Sequence, residues 1–135
     1  MINALHPRPG SAIAIFGAGA VGLSAVMAAR LTGCHPIIAV DIKASRLQLA
    51  ETLGASHTVD PDGLDPVDAV RALSANGAEF SVETTGLPEV TRRAVDCSRI
   101  AREVGSAATT ATTLRGCGLS GAHGSSALRW MRSAC

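Results

Sequence analysis

The decapeptide Ile13-Ala14-Ile15-Phe16-Gly17-Ala18-Gly19-Ala20-Val21-Gly22 constrains this chain more than any other stretch. It reads as an apolar strand, a glycine turn at G-x-G-x-x-G spacing and the start of a helix. Each glycine has a task that a side chain would obstruct. Gly17 permits a tight turn out of the strand, Gly19 lets backbone N–H groups approach a pyrophosphate, and Gly22 lets the helix pack closely on the strand. The helix that begins near Ala20 aims its unpaired amides and its positive dipole end at the same place, so no basic side chain is required there.

A second feature gives the turn its context. Asp41 stands twenty-four residues beyond Gly17, at the end of the apolar run Pro36-Ile37-Ile38-Ala39-Val40. A carboxylate at the tip of the second strand can accept both hydroxyls of an adenosine ribose and repels a 2′-phosphate, which predicts NAD over NADP. An ordinary strand-end or helix N-cap acid would occupy the same position.

Helical and extended patterns alternate from there. The expected elements are a strand over residues 11–16, a helix over 20–32, a strand over 36–41, a helix over 44–53, a short strand over 57–60, a helix to about Ser74, a strand over 79–84 and a helix over 87–98. Val21, Ala25, Ala28 and Ala29 are expected against the sheet in the first helix, and Leu47, Leu49, Ala50 and Leu53 form the expected stripe of the second. Gly33 and Gly54 close these two helices, and Asp65 caps the third, with Pro66 at its first position. Such alternation gives an α/β fold, a Rossmann-type doubly wound parallel sheet with right-handed crossovers. The sheet is incomplete at its C-terminal side, because no convincing fifth strand follows Ser98.

With 135 residues the chain is a single domain, and with no Tyr, two Phe and one Trp its core must be built from Ala, Val, Ile and Leu. A net charge of +1 without a basic block argues against nucleic acid as a partner. Apolar runs are broken well before the roughly 18 residues a membrane helix needs. The first ten residues lack the apolar core of a signal peptide, so a cytoplasmic protein is expected. Cys34, Cys97, Cys117 and Cys135 form no C-x-x-C pair and have no histidine at ligand spacing, so reduced thiols are expected and no metal site. His6, His35, His57 and His123 lie far apart, and no serine sits in a G-x-S-x-G elbow, which leaves no catalytic residue to name.

The texture changes after residue 99. Ala, Gly, Ser and Thr supply 21 of the last 36 residues, and Glu103 is the only acid among them. Residues 100–135 therefore read as a poorly specified tail, and a shift of reading frame in the coding DNA near residue 100 would produce such a change.

Pro9-Gly10-Ser11, the turn from Gly17 to Gly22, Val40-Asp41, Leu53-Gly54-Ala55 and Thr85-Gly86 together give residues 8–99 a family likeness. The chain resembles the nucleotide-binding domain of medium-chain zinc-dependent alcohol dehydrogenases, particularly the aryl-alcohol branch. The resemblance implies that Gly17, Ala18, Gly19, Ala20, Val21, Gly22, Asp41, Ile42, Arg46, Thr84 and Thr85 bind NAD(H). In that scheme Val21 lies beneath the nicotinamide, Arg46 reaches the adenosine ribose or its phosphate, and Thr84 and Thr85 line the adenine side. Val21 as plain core and Arg46 as a solvated helix face are the alternatives.

Family members carry their zinc ligands in a separate catalytic domain, and Met1 to His6 resembles the end of the helix that links the two. The expectation is thus a truncated cofactor half: NAD(H) as ligand, no zinc ligands in this chain, and no turnover. The alternative is a stand-alone NAD-binding module that regulates or scaffolds a partner. Self-association through an open sheet edge is also expected of an incomplete sheet, with marginal folding as its companion risk.

Overall fold

A computed structural model of the chain describes residues 5–75, 77–99 and 114–115. At its centre is β1 (Ile13–Phe16), hydrogen-bonded in parallel to β2 (Ile37–Val40) on one side and β4 (Phe80–Glu83) on the other. Outside β2 lies β3 (His57–Val59), also parallel. Phe16 stands in register with both Val40 and Glu83, so three strands finish level and deliver Gly17, Asp41 and Thr84 to one rim.

Helices cover both faces. α1 (Ala20–Leu31) and α2 (Ala44–Leu53) bury Val26, Ala29, Leu47 and Ala50 against Ile13 and Ile15. α3 (Pro66–Leu73) and α4 (Pro88–Asp96) bury Val70 and Ala94 against Ala14 and Phe16 on the opposite face. The alternation of β1 residues between the two clusters is the period-2 geometry of a strand. Leu5, ahead of the first strand, is buried in the first cluster.

Local chemistry explains the helix ends. The Thr32 hydroxyl donates to the Ala28 and Ala29 carbonyls and closes α1, and Gly54 is the C-cap of α2. Asp65 caps α3 by accepting the Val67 N–H at 2.9 Å, with Pro66 next in line, where its missing N–H costs nothing.

The buried faces differ from expectation at three positions. Val21 is 68% exposed and Ala28 only partly covered, while Gly22 and Val26 join Ala25 and Ala29 beneath α1. The close approach at Gly22 sets the rotational phase of the helix, and the buried set follows at i, i+3, i+4 and i+7. Leu49 is exposed because it points away from the stripe that Leu47 and Ala50 define.

The strands and the last helix are one to three residues shorter than expected at their ends. Beyond β4 lies β5 (Leu114–Arg115), a two-residue strand antiparallel to it, pairing Leu114 with Ser81 and Arg115 with Phe80. Among the described residues no further parallel strand follows β4. The tail expected over residues 100–135 otherwise lies outside the described residues.

Candidate cofactor site

The three glycines of the turn are needed for different reasons. Gly17 has φ +90°, in the left-handed region, and a Cβ there would lie 2.7 Å from Thr84 Oγ1 and 2.8 Å from Thr85 Cγ2. A Cβ on Gly22 would lie 1.8 Å from the Gly17 carbonyl oxygen. Around Gly19 nothing stands within 4 Å of the same position. The protein itself excludes side chains at Gly17 and Gly22, whereas the space at Gly19 is open.

That open space faces the start of α1. Gly19 is the N-cap without a side-chain hydrogen bond, the first turn holds no acid, and the Gly19 carbonyl accepts from Leu23 at 2.8 Å. The first N–H groups of a helix have no intrahelical acceptor, and among the described residues none pairs with those of Ala20 and Val21. The result is a patch of donors at the positive end of a twelve-residue helix.

Asp41 forms the neighbouring wall. It follows the last residue of β2 and is only 6% exposed. Its Oδ2 accepts the Ala18 N–H at 2.7 Å and its Oδ1 the Lys43 N–H at 2.8 Å. The N-cap of α2 is Lys43, which rules out the plain cap role for the acid. A carboxylate has about four acceptor positions, so two backbone bonds leave acceptor capacity unused. Asp41 therefore ties the glycine turn to the end of β2, a task that the sequence did not suggest.

Arg46 Nη1 approaches Asp41 Oδ2 at 3.5 Å from a half-exposed side chain. The carboxylate of this pair is buried, while the guanidinium keeps about half of its surface in solvent. Ile42, next to Asp41, is 73% exposed, and Val21 stands out on α1, which removes the reading of Val21 as core.

Thr84 and Thr85 back the turn from the β4 side. The Thr84 hydroxyl lies 3.0 Å from both the Phe16 and Gly17 carbonyl oxygens, to which it donates. Behind them lies a residue that the sequence reading missed. Glu83 accepts from the Thr85 N–H, the Thr85 hydroxyl, the Gly86 N–H and the Thr91 hydroxyl. Its signal was an acid ending a strand that is otherwise apolar or small, directly before Thr-Thr-Gly.

Zinc does not fit these residues. Among the described residues no three His, Cys, Asp or Glu side chains gather into a metal-binding group. Cys34 and Cys97 are free and buried, and burial pushes the Cys97 thiol up to about 12, the opposite of what a metal thiolate needs. Cys117 and Cys135 lie outside the described residues. No described helix is long and apolar enough to cross a membrane.

The chain is similar to known proteins over most of its length. The family model of zinc-binding dehydrogenases matches residues 20–116. The geraniol dehydrogenase of Castellaniella defragrans is 45% identical over 98 residues, covering 72% of this chain and 26% of that protein. Among solved structures, an alcohol dehydrogenase zinc-binding domain protein from Burkholderia ambifaria is 52% identical with a TM-score of 0.71, over 72% of this chain and 26% of that one. Benzyl alcohol dehydrogenase from Acinetobacter calcoaceticus is 47% identical with a TM-score of 0.70, over 72% and 27%. A Sinorhizobium meliloti 1021 protein described as a zinc-binding dehydrogenase, 31% identical with a TM-score of 0.65 over 72% and 29%, was solved bound to NADP. The chain spans about a quarter of the length of the relatives it matches. The rim of glycines, helix amides and strand-end acid, together with these matches, makes the chain a member of the zinc-binding dehydrogenase family that includes the alcohol dehydrogenases.

Proposed function

We propose that residues 8–99 are the NAD(H)-binding domain of an alcohol dehydrogenase-like oxidoreductase. The observation that carries this reading is the contrast among the three glycines: Gly17 and Gly22 are closed off by the protein, and Gly19 opens onto unpaired helix amides beside a buried strand-end carboxylate. The backbone amides after Gly19 hold the pyrophosphate. Asp41 accepts the adenosine ribose hydroxyls with the acceptor capacity left by Ala18 and Lys43. Arg46 reaches toward the same ribose, Ile42 and Thr85 border the adenine, Thr84 fixes the turn beneath it, and Val21 underlies the nicotinamide.

Bound there, the nicotinamide supplies hydride transfer to and from an alcohol carbon in the whole enzyme. The part played by these residues is to bind, orient and discriminate. On their own, the 135 residues bind cofactor without turning over an alcohol, since the described residues offer neither a metal site nor a proton relay. Localisation to the cytoplasm belongs to this reading as well.

Titration of the purified chain with NADH and NADPH, followed by nicotinamide fluorescence, tests the proposal. NADH is expected to bind at least about tenfold more tightly, because the 2′-phosphate of NADPH meets the Asp41 carboxylate. Equal affinity would remove Asp41 from the ribose site, and alcohol-dependent NADH formation by the pure chain would contradict the absence of turnover.

A further inference from the structure

We propose that Glu83 is a positioning residue of the cofactor site, holding the loop after β4 against the phosphate-binding turn so that dinucleotide affinity depends on it. The inference rests on the reading of the site as NAD(H)-binding.

Glu83 ends β4 in register with Phe16 and is 9% exposed. Its Oε1 takes both the backbone N–H and the hydroxyl of Thr85, and the Gly86 N–H lies 3.2 Å from each oxygen. On the far side the Thr91 hydroxyl of α4 stands 3.4 Å from Oε2. One carboxylate thus gathers two successive amides and the Thr85 hydroxyl in charge-assisted bonds, while the Thr91 hydroxyl lies nearer the Leu87 carbonyl, at 3.1 Å. A side chain so satisfied has one orientation.

The consequence passes through Thr85. With its hydroxyl drawn to Glu83, its methyl is turned onto the turn, where Cγ2 lies 2.8 Å from the place a Gly17 Cβ would occupy. The same hydroxyl oxygen accepts the Leu87 N–H at 3.2 Å, fixing the loop one residue further. Gly17 is thereby hemmed in by Thr84 and Thr85 on the β4 side and hydrogen-bonded to Val40 on the β2 side. The turn that must present its amides to a pyrophosphate is clamped between two strand ends, Asp41 acting for one and Glu83 for the other.

A double-mutant cycle in the full chain tests this with NADH as the probe. Glu83→Gln replaces one acceptor arm with a donor facing N–H groups and is expected to weaken NADH on the order of tenfold, the net worth of about one charge-assisted hydrogen bond. Thr85→Val keeps the shape, removes the hydroxyl, and is expected to weaken NADH as well. The double variant is expected to bind no worse than Glu83→Gln alone, because the two act as a unit. Thr91→Val removes only the 3.4 Å contact on the α4 side of the carboxylate and is expected to weaken NADH less than Glu83→Gln does.

Unchanged affinity in folded Glu83→Gln would overturn the proposal, as would additive losses in the cycle or a loss in Thr91→Val equal to that in Glu83→Gln. Should Glu83→Gln fail to fold, unchanged affinity in Thr85→Val overturns it alone. No NADH binding by the unaltered chain would overturn the cofactor reading and this inference with it.

Discussion

At the scale of single residues, the glycines offer the sharpest test because packing and binding make opposite demands on them. Gly22→Ala drives a methyl into the Gly17 carbonyl, and overpacking of this kind costs about 1–3 kcal/mol or more. Gly19→Ala meets open space at an ordinary φ of −78°, so stability should move by no more than about 1 kcal/mol while NADH binding falls. Thermal melts and a fluorescence titration of the two variants separate these effects.

Two buried groups make predictions about stability alone. Ser81 Oγ is buried without a hydrogen-bond partner among the described residues. An orphaned hydroxyl costs about 1–3 kcal/mol, so Ser81→Ala is expected to leave the chain as stable or more stable in a denaturant melt. The Cys97 thiol, pushed up to about 12 from 9.0, stays neutral in the folded chain after its unfolded counterpart has ionised. Its contribution to stability is complete below pH 9 and is lost as pH rises from 9 toward 12, which alkaline melts of Cys97→Ala against the parent would register as a weaker pH dependence.

At the scale of elements, the sequence was legible where a short-range rule governs. Asp65-Pro66 and Gly54 announced helix boundaries that the structure reproduces, because caps and turns depend on a few neighbouring atoms. Asp65→Ala is expected to lower stability by about 1 kcal/mol, measured by chemical denaturation. The faces of the helices were less legible. Val21 and Leu49 are as apolar as their buried neighbours, and the close approach of Gly22 to Gly17 helps to decide which side of α1 turns inward. The site followed the same pattern: a motif marks the turn and Asp41, whereas the hydrogen bonds of Asp41 to the turn and the position of Glu83 beside it depend on strands 23 and more residues away coming level at one rim.

At the scale of the whole molecule, the sheet carries two described helices on each face, and each buried Ile or Val contributes about 1.5–3 kcal/mol to the two clusters. Its order, β3-β2-β1-β4-β5, places the glycine turn between strands whose connections leave on opposite faces, the position where doubly wound sheets bind ligands. The two-residue β5 was not legible, since nothing in the alternation of the sequence marks residues 114–115 as a strand.

The central claim, that this rim binds a nicotinamide dinucleotide, is tested most directly by titrating NADH into the isotope-labelled chain and following its backbone amide resonances. Saturable shifts are expected to concentrate at Gly17 to Gly22, at Asp41 and Ile42, and at Thr84 and Thr85. A folded chain whose shifts fall elsewhere, or whose spectrum does not change, would contradict it.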